Sequence, residues 1–149
     1  MRRWTVFWAT WGGVGFSPIA SGTVGTAAAI PFYLLLARLP LGVYLLVVVL
    51  FGLAACRVSA AAETIFGEKD SGKIVIDEVV GYLVTMSGMP LDWRWVVGGF
   101  FLFRLFDITK VPPARFFDRH WKNGYGVVLD DVVAGLYACL FLHLTARWL

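Results

Sequence analysis

Charge is scarce in this chain. Only 15% of its 149 residues are Asp, Glu, Lys or Arg, while 59% are hydrophobic; an ordinary soluble domain carries about 25% charged residues. This composition argues against a typical soluble globular protein and points to a membrane. The net charge is only +3 and the basic residues are scattered, so nucleic acid is not an expected partner. Cysteine is nearly absent. Cys56 and Cys139 sit in separate apolar runs, without metal-site or disulfide-framework spacing, and read as reduced, buried small hydrophobes. His120 and His143 are unclustered, which argues against zinc. No segment alternates with period two between hairpin turns, so the expected fold is all-α.

Familiar phosphate signatures are missing too. Neither cysteine has an Arg six residues on, and the chain contains no Asp-x-Asp and no Ser-Gly-His. Gly67 to Lys73 imitates a P-loop, but Ile74 stands where a hydroxyl should meet Mg²⁺, and an Ala-rich helix precedes it instead of a strand. A secretory leader is not expected. Arg2 and Arg3 precede an uncharged stretch, but that stretch is broken by Gly, Ser, Thr and Pro. The two arginines are weak markers for a cytoplasmic N-terminus.

What the chain does have is acid in apolar surroundings. Asp77 and Glu78 interrupt an Ile- and Val-rich run, and an ungapped alignment at one fixed offset repeats the pattern. Lys69 meets Lys122, Asp77 meets Asp130, Glu78 meets Asp131, and Val79-Val80 meets Val132-Val133. Buried carboxylates are costly unless a cation compensates them. The expectation is two helices, each delivering an acidic pair to one site. Gly81, Ala134 and Gly135 lie one turn beyond the acids, and small residues there let helices approach closely. Neighbouring helical residues point about 100° apart, so the members of a pair cannot both face one ion head-on; one is expected to ligate a metal directly while the other binds a second metal, a water or a cation. Oxygen ligands without His or Cys suit Mg²⁺ or Mn²⁺. Lys73, Arg104 and Lys110 are cations fit to hold a phosphate, so metal-assisted phosphoryl chemistry is the reading of this combination.

In chain order, Trp4–Trp11 is an aromatic anchor or first packed turn. Residues 12–25 form a Gly-rich loop whose Ser21-Gly22-Thr23 opens a helix; its free N–H groups suit phosphate, with a plain capped turn as the alternative. Thr26–Arg38 is a helix kinked or restarted at Pro31. Leu39–Cys56, uncharged and about 18 residues long, reaches the lower limit for a membrane span; the alternative is a buried bundle helix. Val58–Phe66 continues it. The acidic helix runs from about Ile74 to Ser87, Asp92 caps Trp93–Thr109, and Pro112-Pro113 starts a short helix that Gly124 and Gly126 break. The last helix carries Asp130-Asp131 and the apolar run Val132–Ala146.

Taken in order, these motifs resemble the phosphatidylglycerophosphatase A family over nearly the whole chain. The resemblance rests on Ser17-Pro18…Gly22-Thr23-Val24-Gly25, Lys69-Asp70, Ile76-Asp77-Glu78-Val79-Val80-Gly81, Arg104-Leu-Phe-Asp107-Ile-Thr-Lys110 and Gly126-Val-Val-Leu-Asp130-Asp131-Val-Val-Ala-Gly135. It implies a Mg²⁺-dependent enzyme of the bacterial cytoplasmic (inner) membrane. The enzyme removes the terminal phosphate of phosphatidylglycerophosphate on the cytoplasmic side, using one domain over 1–149 that is a bundle of about six helices. Asp77, Asp130 and Asp131 would be catalytic. Asp77, Glu78, Asp130 and Asp131 would be metal ligands, with Asp70 and Asp107 as further ligands or orienters. Thr23, Lys73, Arg104 and Lys110 would bind substrate. The partners are a phospholipid and the membrane, and a homo-oligomer is compatible with both. Ser21, Ser71 and Val111 stand where the family is expected to carry Pro, which puts loop geometry in question and removes no charge. The competing class is a non-enzymatic membrane cation carrier, which the cations flanking the acids would hinder.

Overall fold

The computed structural model describes residues 1–112, 115–116, 120–121 and 123–149. Among them are six α-helices, one 3-10 turn and no strand: α1 (Arg2–Ala9), the 3-10 turn Val14–Phe16, α2 (Ser21–Leu36), α3 (Leu41–Phe66), α4 (Ile76–Thr85), α5 (Trp93–Thr109) and α6 (Gly124–Trp148). The fold is all-α, as the sequence implies. The short helix expected after Pro112 falls largely on residues outside those described.

Local chemistry accounts for most boundaries. Asp92 caps α5 by accepting a hydrogen bond from the Arg94 amide at 2.9 Å, and Asn123 caps α6 by accepting from Gly126 N at 3.0 Å. Gly67 ends α3 in the left-handed conformation, at φ 65°. Pro31 lies inside α2 without ending it; its ring is on the exposed side, where the missing N–H leaves a carbonyl open to the outside. Leu39–Cys56 and Val58–Phe66 form one continuous helix, α3.

Gly124 and Gly126 lie in the first turn of α6, which begins at Gly124 after its cap Asn123; the short helix they are expected to break lies largely outside the described residues. A Cβ on Gly124 would fall 2.1 Å from Ala60 N, and one on Gly126 would fall 1.6 Å from Trp121 O. These glycines are there for close backbone approach, which a sequence pattern cannot distinguish from a turn.

The short helix α4 sits at the centre, with Val79, Tyr82 and Leu83 fully buried. It runs parallel to α6: Gly81 meets Gly135 near one end, and Ser87 O accepts a hydrogen bond from Cys139 Sγ and lies 2.9 Å from His143 Nε2 near the other. Helix α5 runs antiparallel to both, placing Gly99 against Met86 and Phe103 against Gly81. Tyr33 of α2 meets Tyr82 edge-on at 5.9 Å and Tyr44 at 6.4 Å.

Helices α3 and α6 are long and apolar enough to cross a membrane, with mean hydropathies of 2.3 and 1.8 in their most apolar windows. Their burial pattern adds to this. Leu46, Val49, Leu50 and Leu53 of α3 are more than half exposed, as are Leu136 and Leu140 of α6 and Phe101 and Leu105 of α5. A core helix of a soluble protein turns such residues inward; here they form an outward apolar surface. The molecule is a membrane-associated helical bundle.

Candidate active site

Three helices meet at the acid-bearing end of the bundle. The first turn of α4 supplies Asp77 and Glu78, the last two turns of α5 supply Arg104 and Asp107, and α6 supplies Asp130 and Asp131. Their spacing is set by the crossing of α4 over α6. A Cβ on Gly135 would lie 2.5 Å from Gly81 O, and one on Gly81 would lie 2.9 Å from Asp131 O. The small residues one turn beyond the acids therefore permit the approach expected of them.

These side chains line a cavity of about 540 Å³, with Lys110 beside them and Lys69, Asp70 and Trp121 also in its wall. Asp77, Asp130 and Asp131 are at most 5% exposed and Asp107 is 9% exposed. Arg104 forms an ion pair with Asp107, and Lys110 with Asp130. Lys110 ends α5 at φ 48°, a left-handed conformation that a side-chain-bearing residue adopts at a cost of about 1 kcal/mol or more. That strain lies at a residue whose ammonium reaches the site.

The remaining carboxylates are less well compensated. Asp77 Oδ1, Glu78 Oε2 and Asp131 Oδ2 are buried without a hydrogen-bond partner, an arrangement native interiors avoid unless something else binds there. Burial pushes the Asp77 carboxyl well up from its ordinary range, and the Glu78 and Asp107 charges push it the same way. Burial also raises Glu78. A cation would reverse both shifts. One oxygen each from Asp77, Glu78 and Asp131 lies within 4.8 Å of the others, and the same holds for Asp107, Asp130 and Asp131. Asp131 belongs to both triads. An all-oxygen donor set with unpartnered buried oxygens fits a hard divalent cation such as Mg²⁺.

The structure thus gathers Asp77, Glu78, Asp107, Asp130, Asp131, Arg104, Lys110 and Asp70 around one cavity. It places two other sequence candidates elsewhere. The Lys73 ammonium lies 5.3 Å over the Phe66 ring and belongs to a separate hollow with Ser21 and Gly72. Thr23, in the first turn of α2, does not line the cavity. Its neighbour Gly22 reaches the site from behind: a Cβ there would lie 2.7 Å from Glu78 Oε1 and 3.2–3.3 Å from the Arg104 Nη atoms. Gly22, Lys69 and Trp121 were not among the sequence candidates for the site. Lys69 had a signal, its place at the head of the repeat; Gly22 and Trp121 had none strong enough to select them. Ser21 donates a 2.6 Å hydrogen bond to Gly72 O, tying the start of α2 to the loop before α4, a bond proline could not make.

Comparison with known proteins agrees with this architecture. The family model described as phosphatidylglycerophosphatase A matches residues 7–146. A phosphatidylglycerophosphatase A of Escherichia coli is 42% identical over 135 residues, covering 88% of this chain and 77% of its own. One of Haemophilus influenzae is 36% identical over 139 residues, covering 92% and 85%. A putative phosphatidylinositol-3-phosphatase of Bacteroides thetaiotaomicron is 38% identical over 144 residues, covering 91% and 89%. No solved structure gives a significant match. With the family model spanning nearly every residue that builds the bundle and the acidic cavity, the chain belongs to the phosphatidylglycerophosphatase A family.

Proposed function

We propose that this chain is a Mg²⁺-dependent phosphatase that hydrolyses the terminal phosphate monoester of phosphatidylglycerophosphate, giving phosphatidylglycerol and phosphate. The observation that carries the reading is the cluster of buried carboxylates with unpartnered oxygens beside Arg104 and Lys110, in a chain of this family. Asp77, Glu78 and Asp131 would hold the metal. When bound, Mg²⁺ supplies charge stabilisation at the phosphoryl oxygens and acidifies water. Arg104 and Lys110 bind the phosphate oxygens through charge-assisted hydrogen bonds. Of the catalytic carboxylates, Asp77 and Asp131 share the metal with Glu78, and Asp130 would take up the proton of the attacking water. Asp70 and Asp107 orient their neighbours: Asp107 holds the Arg104 guanidinium, and Asp70 stands in the cavity wall.

The place of the site in the bundle favours a lipid headgroup. Asp131 follows the start of α6 by seven residues, about 10 Å along the axis, so the cavity lies near one end of the membrane-sized helices. A phosphate at headgroup depth reaches it while the acyl chains remain beside the apolar outer face. The described residues of the loops at this end carry Lys69, Lys73, Lys110 and Arg115, against Arg38, Arg94 and Arg147 near the opposite end. By the positive-inside rule the site faces the cytoplasm of the bacterial inner membrane. A cation carrier is disfavoured because Arg104 and Lys110 stand in the cavity wall. The test is phosphate release from phosphatidylglycerophosphate by purified protein, with phosphatidylinositol 3-phosphate as competing substrate, before and after chelation. Turnover should require added Mg²⁺ and prefer the glycerophosphate headgroup. Full turnover by protein shown to be metal-free would sink the metal assignment, and preference for the inositol lipid would sink the substrate assignment.

A further inference from the structure

The two acid triads around Asp131 differ in how they are balanced. In the first, Asp77 Oδ1, Glu78 Oε2 and Asp131 Oδ2 are buried and have no hydrogen-bond partner. In the second, Asp107 is already held by Arg104 and Asp130 by Lys110 through Oδ2, while Asp130 Oδ1 is buried without a hydrogen bond. The first is therefore open to a cation in the resting protein, whereas protein cations occupy the second. Arg104 and Lys110 are also the two basic side chains best placed to grip a phosphate, and Arg104 retains a spare buried donor at Nε.

We propose that Arg104 and Lys110 act as exchangeable place-holders. They fill the Asp107–Asp130–Asp131 seat until a phosphate group draws them away, so that a second divalent cation binds there only together with phosphate. The inference rests on the metal reading above and deepens it. Charge accounts for the coupling. Among the described residues lining the cavity, five carboxylates, Asp77, Glu78, Asp107, Asp130 and Asp131, face two cations, Arg104 and Lys110, while Lys69 and Asp70 offset each other. With all ionised, the deficit is three charges; one divalent cation lowers it to one, a phosphate dianion restores it to three, and a second divalent cation returns it to one. Neither phosphate nor the second cation is well balanced without the other. Linkage requires the coupling to be reciprocal: whatever factor phosphate adds to the affinity for the second cation, that cation adds to the affinity for phosphate.

The experiment is a Mn²⁺ titration of the full chain in detergent, followed by calorimetry and electron paramagnetic resonance, with and without inorganic phosphate. Without phosphate, one Mn²⁺ per chain should bind and give an isolated six-line spectrum. With saturating phosphate, a second should bind on the order of tenfold to a hundredfold more tightly than without it. The spectrum should become spin-coupled, because both triads share Asp131. K110M removes the competing cation and should admit the second Mn²⁺ without phosphate; R104Q provides the same test should K110M fail to fold. Two Mn²⁺ in the wild-type protein without phosphate would overturn the place-holder role, as would one Mn²⁺ with phosphate demonstrably bound. Absence of any Mn²⁺ binding would overturn the metal reading beneath it as well, and so separates failure of that reading from failure of the exchange.

Discussion

The crossing of α4 and α6 gives the sharpest prediction. In Gly135→Ala, the new methyl would lie 2.5 Å from Gly81 O and 3.1–3.2 Å from Val84 Cβ and Cγ1. The first of these is a backbone atom, which no rotamer change can move. Restoring an ordinary contact of about 3.4 Å requires the helices to part by about 0.9 Å at this point. Asp131 stands one turn before Gly135 and Asp77 one turn before Gly81, so the displacement passes directly to two members of the open triad, whose oxygens now lie within 4.8 Å. Overpacking of this kind costs about 1–3 kcal/mol, or about 2–12 °C in melting temperature for a chain of this size. Misplacement by about 1 Å at a reacting centre costs on the order of a hundredfold in rate, and Mg²⁺, which demands near-ideal oxygen geometry, should bind more weakly. Gly98→Ala is the control: it is also a helical glycine, but its nearest outside atom would be Leu142 Cδ2 at 3.9 Å. That variant should be neutral or up to about 1 kcal/mol more stable, with unchanged kcat/KM. Thermal melting, a Mg²⁺ titration and phosphate release measured on both variants decide the matter. A folded Gly135→Ala protein with wild-type rate and metal affinity would refute the claim that this crossing sets the ligand spacing.

Three further predictions address the rest of the molecule. Arg104→Ala and Lys110→Ala should each lower kcat/KM at least about a hundredfold through lost charge-assisted contacts to phosphate, and near-normal rates at subsaturating substrate in folded protein would remove those roles. Gly22→Ala should leave melting within a few degrees, because the atoms nearest its methyl are the side-chain ends of Glu78 and Arg104; it should weaken Mg²⁺ binding and raise KM, and unchanged values of both would mean that the start of α2 does not position these groups. The protein should fractionate with membranes and need detergent, given the outward apolar faces of α3, α5 and α6; a monodisperse detergent-free preparation would contradict that.

Much of the fold was legible because it depends on local signals. Asp92 and the run that follows it gave α5 its start, and the uncharged stretch after Pro40 gave the body of α3. Both follow from capping and hydropathy, which act over a few residues. The glycines were legible only where their purpose was already suspected. Gly81 and Gly135 stood one turn beyond an acid and read as packing positions, whereas Gly124 and Gly126 read as breaks. Their actual role depends on Ala60 and Trp121, the first more than sixty residues from Gly124, and a single sequence does not carry that contact. The same holds for Gly22. The loop-to-helix signal led to Thr23, because a hydroxyl looks like a ligand-binding group; what meets the site is the neighbour whose lack of a side chain lets α2 close on Glu78 and Arg104.

The repeat shows where sequence symmetry and spatial symmetry part. In sequence the two acid motifs align at an offset of 53 residues, from Lys69 to Lys122 and from Asp77 to Asp130. In space the crossing pairs Gly81 with Gly135 at an offset of 54, and the open triad joins Asp131 both to Asp77 at 54 and to Glu78 at 53. One residue on a helix is a rotation of about 100°, so the register at this crossing decides which acid faces which neighbour. It turns Asp131 towards Asp77 and Glu78, and leaves Asp130 with Asp107 and Lys110. The helices also begin at different points: α4 starts one residue before Asp77, α6 six residues before Asp130. A two-fold arrangement in perfect register would present two equivalent acid pairs to one ion. The observed register instead produces two unlike triads with Asp131 in common, one without an ion-pair partner among the described residues and one holding Arg104 and Lys110, and in the proposed function that inequality would let a metal and a phosphate be taken up by different parts of a single cluster.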